Sequence, residues 1–302
     1  MTVHPTRQSK LTTVTDLASR VSDGMTLAVG GFGVYGRPMA FVRELIRLER
    51  KDLTVVTTTS GQETELLVGA GLVRRLETAY AGLEKWGLAR RVRAAVEAGE
   101  IEIADYDEVM SFDRFRAAQD GLTSFSANYM HGSSLPEQNP DMKPTTNPLT
   151  GAPEHAIPAA SADIAIVHVP AADRFGNAAM PADQMMPQGL DLTTVRAFDR
   201  VLLTAENIVD TNALTRFPQR VQIPCFLIEA VAHAPWGAHP GAMLGSYDAD
   251  GEHFDELVEA GASAETFDKY LGKYVREVSD NDAYLDLVGI NTLLKIQRRS
   301  FK

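Results

Sequence analysis

The chain has 302 residues, 44% hydrophobic and 23% charged, with 40 acidic against 29 basic side chains and a formal net charge of -11. That length and balance suit one large α/β domain or two smaller ones around a substantial core, and they exclude a disordered or low-complexity chain. The acidic surplus argues against nonspecific nucleic-acid binding, which needs a basic surface to neutralise phosphates.

The first ten residues lack the apolar segment of a signal peptide, and no run approaches the ~18 apolar residues of a membrane span, so a cytoplasmic protein is expected. Leu11, Val14, Leu17, Ala18 and Val21 share one helical face, which predicts a helix over 11–22 stopped at Gly24. Asp23 to Pro38 is the stretch that states a chemistry. Thr26 to Val29 is a short β-prone run, Gly30, Gly31, Gly33 and Gly36 permit a tight turn, and Pro38 suits a first helical position. Exposed N–H groups in such a turn, with the helix dipole behind them, would favour an anion or a developing oxyanion. Gly31, Gly33 and Gly36 also spell the G-x-G-x-x-G of a dinucleotide site. A ribose-binding acid should then close the next strand, Leu53 to Thr59, but threonines close it and Asp52 stands at its start.

Residues 38–50 form an amphipathic helix with Phe41, Val42, Leu45, Ile46 and Leu48 inward and Arg43, Glu44, Arg47 and Glu49 outward. A helix through Leu66 and Leu67 follows and ends at Gly69 and Gly71; residues 78–82 could be a strand, 90–98 look helical and 101–104 another strand. Arg74, Arg75, Arg90, Arg91 and Arg93 are candidates for attracting an anionic ligand, or simply a solvated basic run. A helix from Asp107 would turn Val109, Phe112 and Phe115 inward. Its first-turn acids either answer the helix dipole or place Glu108 in a ligand cleft. Residues 131–160 hold six prolines and read as a long irregular excursion. At its entrance His131, Ser133 and Ser134 contact substrate or cap a turn, while His155 reads as a surface residue. Strands are expected at 162–170, 200–205 and 226–231, a turn at Asp173 to Asn177, and Glu206-Asn207 reads as a strand end. Cys225, the only cysteine, lies in an apolar run and suits a core position, which leaves no disulfide framework, zinc cluster or other metal site. Amphipathic helices resume from Tyr247, so a domain over 1–245 with a helical extension over 246–302 is expected. The alternation of strands and helices predicts an open, mostly parallel sheet with helices on both faces.

The run Asp23-Gly-Met-Thr-Leu-Ala-Val-Gly-Gly-Phe-Gly-Val-Tyr-Gly-Arg-Pro38 resembles, at every constrained position, the signature of family I coenzyme A transferases. The resemblance continues through 162–180, with Asp173-Arg-Phe-Gly-Asn-Ala178, and through 231–240, with Pro235-Trp-Gly-Ala-His-Pro240; it is to alpha subunits of the glutaconate type. It implies an enzyme in which a glutamate attacks an acyl-CoA thioester and CoA passes through an enzyme-bound thioester to an acceptor acid. That glutamate sits in a Ser-Glu-Asn-Gly motif of the beta chain, and Ala205-Glu206-Asn207-Ile208 departs from it at both neighbours. The resemblance therefore implies an alpha subunit that completes its site with a beta subunit, as α2β2, with a coenzyme A thioester as substrate and no permanent cofactor. Gly30, Gly31, Phe32, Gly33 and Gly36 would line the cleft, with Ser133 and Ser134 near the substrate. Steroid-ring-opening hydrolases of the same fold are also similar, and in that alternative Glu108 is the general base acting on a CoA-linked substrate. A third expectation is a non-enzymatic ligand-binding or scaffold subunit.

Overall fold

The computed structural model describes residues 8–130, 132–180 and 189–298. It opens with strand β1 (Leu11–Thr12) and helix α1 (Val14–Ser19). The expected helix from Leu11 thus starts three residues late, because Leu11 and Thr12 pair with Val231 and Ala232 at a sheet edge and Thr13 caps α1 through the Asp16 N–H. Next come β2 (Thr26–Val29), α2 (Met39–Arg47), β3 (Leu53–Val56), α3 (Gln62–Gly69), β4 (Val73–Thr78), α4 (Arg90–Glu97), β5 (Glu102–Asp105) and α5 (Glu108–Gln119). Strand β4 ends at Thr78, where the strand expected over 78–82 was to begin. It buries Val73, Leu76 and Thr78 while its charged residues are more open, an alternation that the arginines disguised in the sequence.

The proline-rich stretch is ordered, not irregular. It holds α6 (Leu135–Gln138), and its β7 (Lys143–Thr146) and β8 (Pro153–Pro158) join β6 (Ser124–Ala127), just ahead of it, in an antiparallel sheet in the order β6-β8-β7. Pro144 falls on an edge strand and Pro153 and Pro158 bound the central one, positions where a missing N–H is tolerated. His155 is half-buried there, contrary to its reading as a surface residue. Then follow β9 (Ile164–Val169), β10 (Ala171–Asp173), β11 (Ala178–Ala179), α7 (Gly189–Ala197), β12 (Val201–Ala205), β13 (Ile208–Val209), α8 (Thr211–Thr215), β14 (Val221–Ile223) and β15 (Ala230–His233). The strand expected at 226–231 is displaced: residues 225–227 form a short turn of 3-10 helix that leaves Phe226 exposed and Cys225 buried. Helices α9 (Gly251–Ala260), α10 (Ala264–Leu271), α11 (Asn281–Val288) and α12 (Ile290–Ile296) close the described chain.

Eight strands form one parallel sheet in the order β1-β15-β12-β9-β2-β3-β4-β5. Its central strands are buried on both faces, as parallel sheets require. Leu27 belongs to one hydrophobic cluster with Leu17, Phe41, Leu66, Phe254, Phe267 and Leu271, whereas its neighbour Ala28 belongs to another with Phe115, Val167, Val195 and Leu203. The C-terminal helices therefore enlarge the first face. They also cover Arg43 and Glu44, which were expected outward: Arg43 stacks on the Tyr284 ring at 3.6 Å and donates to the His239 carbonyl and to Asn281 Oδ1. From β2 the chain builds outward through β3, β4 and β5, then returns at β9 on the other flank of β2. The reversal lies between β2 and β9, and their carboxyl ends are where open α/β sheets bind ligands. Among the described residues, no helix is long and apolar enough to cross a membrane.

Candidate functional site

The glycine turn leaves β2 at this reversal. Gly31 and Gly33 take φ of +87° and +52°, and the chain folds back so that the N–H and carbonyl of Phe32 bond to the carbonyl and N–H of Tyr35 at 2.9 and 2.8 Å. The expected open row of donors is not found. The N–H groups of Gly30, Gly31, Gly33 and Gly36 go to Ile166 O, Asp191 Oδ1, Thr59 O and Ala242 O respectively, because strands and loops from four parts of the chain converge here. The turn instead offers a rigid shape with the half-exposed Phe32 ring on it. Pro38 stands one residue before α2, at its N-cap and not at the first helical position expected for it, and makes no side-chain cap.

A buried arginine holds the turn from beneath. Fully enclosed Arg37 donates to the carbonyls of Gly33, Gly30 and Thr59 and to Thr57 Oγ1, and it pairs with Glu63 at 3.1 Å. The threonines that close β3, where a ribose-binding acid was sought, serve this guanidinium. Glu63 accepts the Gly61 N–H, and burial pushes its carboxyl above the usual range despite Arg37. Asp191, from α7, is also buried; burial pushes it up to about 6, with the Gly31 N–H, Arg37 and His168 opposing. Glu84 reaches the same turn from outside: it is exposed, holds φ at +55°, and a Cβ on Gly33 would lie 2.0 Å from its Oε1.

A second loop, Pro235 to Ala242, leans on the turn. Ala40 N–H bonds to Gly237 O at 2.9 Å, and Ala242 exchanges bonds with Val34 and Gly36 at 3.0 and 2.8 Å. Thus the three segments that resemble the transferase pattern, distant in sequence, meet at one sheet edge. Glu206 closes β12 as expected, but it is a buried hub: His168 Nε2 at 2.7 Å, Tyr247 OH at 2.5 Å and the Trp236 N–H at 2.6 Å all contact its carboxylate. Its sequence neighbours gave no hint of this, because all three partners come from other elements.

Glu108 occupies the exposed first turn of α5, which Asp107 caps through the Met110 N–H at 2.9 Å. Phe112, one turn on along the same helix face, has its ring centroid 6.5 Å from that of Phe32, so α5 stands beside the glycine turn. Val109, expected inward, is 56% exposed. Ser133 and Ser134 are exposed, and Ser133 Oγ accepts the Leu135 N–H, the capped-turn arrangement; His131 lies outside the described residues. Arg74 and Arg75 do not reach the site. They sit at the amino-terminal edge, where Arg74 bonds Thr54 Oγ1 and Arg75 pairs with Glu77, Glu102 and Asp141. Arg93 pairs with Glu97.

His239, Asp250 and His253 have ligand atoms within 4.8 Å of one another, a grouping the sequence reading missed because only the fold assembles it. It is knit by hydrogen bonds: His239 joins Asp250 and Tyr284, and His253 joins Tyr270.

An open parallel sheet with a glycine turn locked at its reversal point, flanked by a buried arginine and three buried carboxylates, defines an α/β protein with a candidate ligand site at the carboxyl edge. The coenzyme A transferase pattern matches residues 11–234, and the chain belongs to that family. Over 90% of its length it is 31% identical to the A subunit of 3-oxoadipate CoA-transferase from Pseudomonas knackmussii, covering 95% of that protein. It is 30% identical to the cholesterol ring-cleaving hydrolase IpdA subunit of Mycobacterium tuberculosis over 88% of this chain and 93% of that one. An uncharacterized Archaeoglobus fulgidus protein is 36% identical over 92% of this chain, which spans 62% of that protein's length. The structure of glutaconate coenzyme A-transferase from Acidaminococcus fermentans matches with a TM-score of 0.90 at 27% identity, over 97% of this chain and 96% of that chain.

Proposed function

We propose that this chain is the alpha subunit of a heteromeric coenzyme A transferase that moves CoA between an acyl-CoA thioester and a carboxylic acid, the nucleophilic glutamate coming from a beta subunit in an α2β2 assembly. The observation that carries this reading is the occupation of the buried acids around the glycine turn. Asp191, Glu63 and Glu206 all spend their carboxylates on donors of this chain, so none is free to attack a thioester. In the reaction a glutamate oxygen attacks the thioester carbonyl and expels CoA thiolate. The thiolate attacks the resulting anhydride at the glutamyl carbonyl and releases the first acid, and the second acid takes the acyl position by the reverse steps. The rigid turn with Phe32 would form one wall of that cleft.

A second reading rests on Glu108. It is exposed, shares a helix face with Phe112, and Phe112 packs towards Phe32 of the turn. A carboxylate so placed suits a general base that directs water at a ring of a CoA-linked substrate, and the similar Mycobacterium tuberculosis protein is a cholesterol ring-cleaving hydrolase subunit.

Intact-mass spectrometry of the co-expressed alpha and beta chains after incubation with acyl-CoA and borohydride tests both. An adduct on a beta-chain glutamate supports transfer. Consumption of acyl-CoA with incorporation of labelled water, no adduct on either chain, and loss of turnover in Glu108→Gln would replace it with hydrolysis.

A further inference from the structure

Glu206 closes β12 in a constellation of hydroxyl, imidazole and carboxylate. Thr204 Oγ1 lies 2.9 Å from His168 Nδ1, and His168 Nε2 lies 2.7 Å from Glu206 Oε1. Thr204 is 0% and His168 1% exposed, so no substrate reaches the hydroxyl and the group cannot serve as a nucleophile with its base. Its effect is exerted on the protein itself.

The other side of Glu206 shows where. Oε2 receives the N–H of Trp236, a non-glycine residue with φ of +52°, a backbone conformation that persists only where its surroundings over-determine it. Much of that surrounding structure converges on Glu206, beside the Asn281 amide that bonds the Pro235 carbonyl and the Arg43 guanidinium that bonds the His239 carbonyl. The Trp236 ring packs on Tyr247 at 4.4 Å between centroids, the Tyr247 hydroxyl donates to Glu206 Oε1 and accepts the Ala238 N–H at 3.0 Å, and Gly237 lies so flat on the His168 ring that a Cβ would come within 2.5 Å of Cε1. The loop held in this way then holds the glycine turn, through Gly237 O to the Ala40 N–H and through Ala242 to Gly36 and Val34.

We infer that Glu206 is a positioning residue: it fixes the strained Trp236 segment, and that segment sets the geometry of the glycine turn. Only the kinetic consequence rests on the transfer reading. A turn displaced by even an ångström costs about a hundredfold in rate when it shapes a reacting cleft.

The test compares wild type, Glu206→Ala and Glu206→Gln by hydrogen exchange on the full chain and by kinetics of the assembled complex with an acyl-CoA and an acceptor acid. Expected in Glu206→Ala is exchange faster by about tenfold at the Gly36, Ala40 and Ala242 amides, with β4 and β5 unaltered. Its kcat should fall about a hundredfold while KM moves less than about threefold. Glu206→Gln, which still accepts the Trp236 N–H, should recover kcat to within about tenfold. Should Glu206→Ala not fold, Tyr247→Phe removes one anchor, keeps the ring, and must quicken the same three amides. Unchanged exchange at those amides overturns the inference, and so does a kcat within about twofold of wild type in Glu206→Ala. If the wild-type complex transfers no CoA, the transfer reading fails and the exchange data alone decide the role of Glu206.

Discussion

Asp191 Oδ1 accepts the Gly31 N–H at 2.6 Å, joining α7 to the glycine turn across 160 residues of chain. The contact explains why Gly30 has no room for a side chain, since a Cβ there would lie 2.5 Å from the same oxygen. It also places an acid pushed up to about 6 beneath the candidate cleft.

The stability carried by Asp191 should therefore depend on pH in a definite sense. Its folded value, about 6, lies above the ordinary 3.8, so folding favours the protonated form. The associated stability is complete below the ordinary value and is lost as pH rises through about 6, a change of about 3 kcal/mol. His239 and His253 act oppositely, because burial holds both below the usual imidazole range and acidification must charge them. Asp191→Asn keeps an oxygen for the Gly31 N–H and removes the titration. Urea unfolding from pH 4.5 to 8 should show the variant gaining on wild type as pH rises; parallel curves would show that Asp191 does not titrate there.

Arg37 and Glu63 form a buried pair in which the arginine also holds three carbonyls of the site. Arg37→Met strands a buried carboxylate and should cost about 3–5 kcal/mol. Adding Glu63→Gln should return part of that loss, since the stranded charge is gone. Chemical denaturation of Arg37→Met, Glu63→Gln and the double variant measures the coupling, and strictly additive losses would mean that the pair is not coupled.

Gly61 and Gly33 make a discriminating comparison. A Cβ on Gly61 would lie 2.0 Å from the Gly33 carbonyl oxygen, a backbone atom that Arg37 holds in place. On Gly33 the obstacle is the carboxylate tip of exposed Glu84, which can swing away, leaving mainly the cost of a positive φ, about 1 kcal/mol. Thermal unfolding should find Gly61→Ala the more damaging, by several degrees.

Gln62, fully buried at the start of α3, has neither amide atom hydrogen-bonded among the described residues. Replacing an unsatisfied amide by an apolar group of similar shape should stabilise, so Gln62→Met is expected to raise the unfolding free energy by about 1 kcal/mol. A lower melting temperature would instead reveal a bound water that satisfies the amide.

Much of the fold was legible in the chain itself. Alternating buried-type strands and amphipathic helices specified the parallel sheet, and sixteen residues from Asp23 to Pro38 specified the family, because glycine positions and short apolar runs are local constraints. Where expectations failed, a distant partner had overridden a local pattern. Leu11 looked helical until it paired with Val231, and Arg43 looked solvated until Tyr284 covered it. The prolines of 131–160 looked like breaks, yet Pro144, Pro153 and Pro158 sit at a strand edge or end.

The site divides along the same line. Sequence alone determined that a bare-backbone turn follows β2, since only glycine tolerates those φ angles and close approaches. Which groups hold that turn was decided by tertiary structure. Asp191 reaches it from α7 and Ala242 from the loop after β15, while Trp236 of that loop bonds Glu206 at the end of β12; their burial, pairing and pKa depend on neighbours far away along the chain, for which a linear pattern carries no signal.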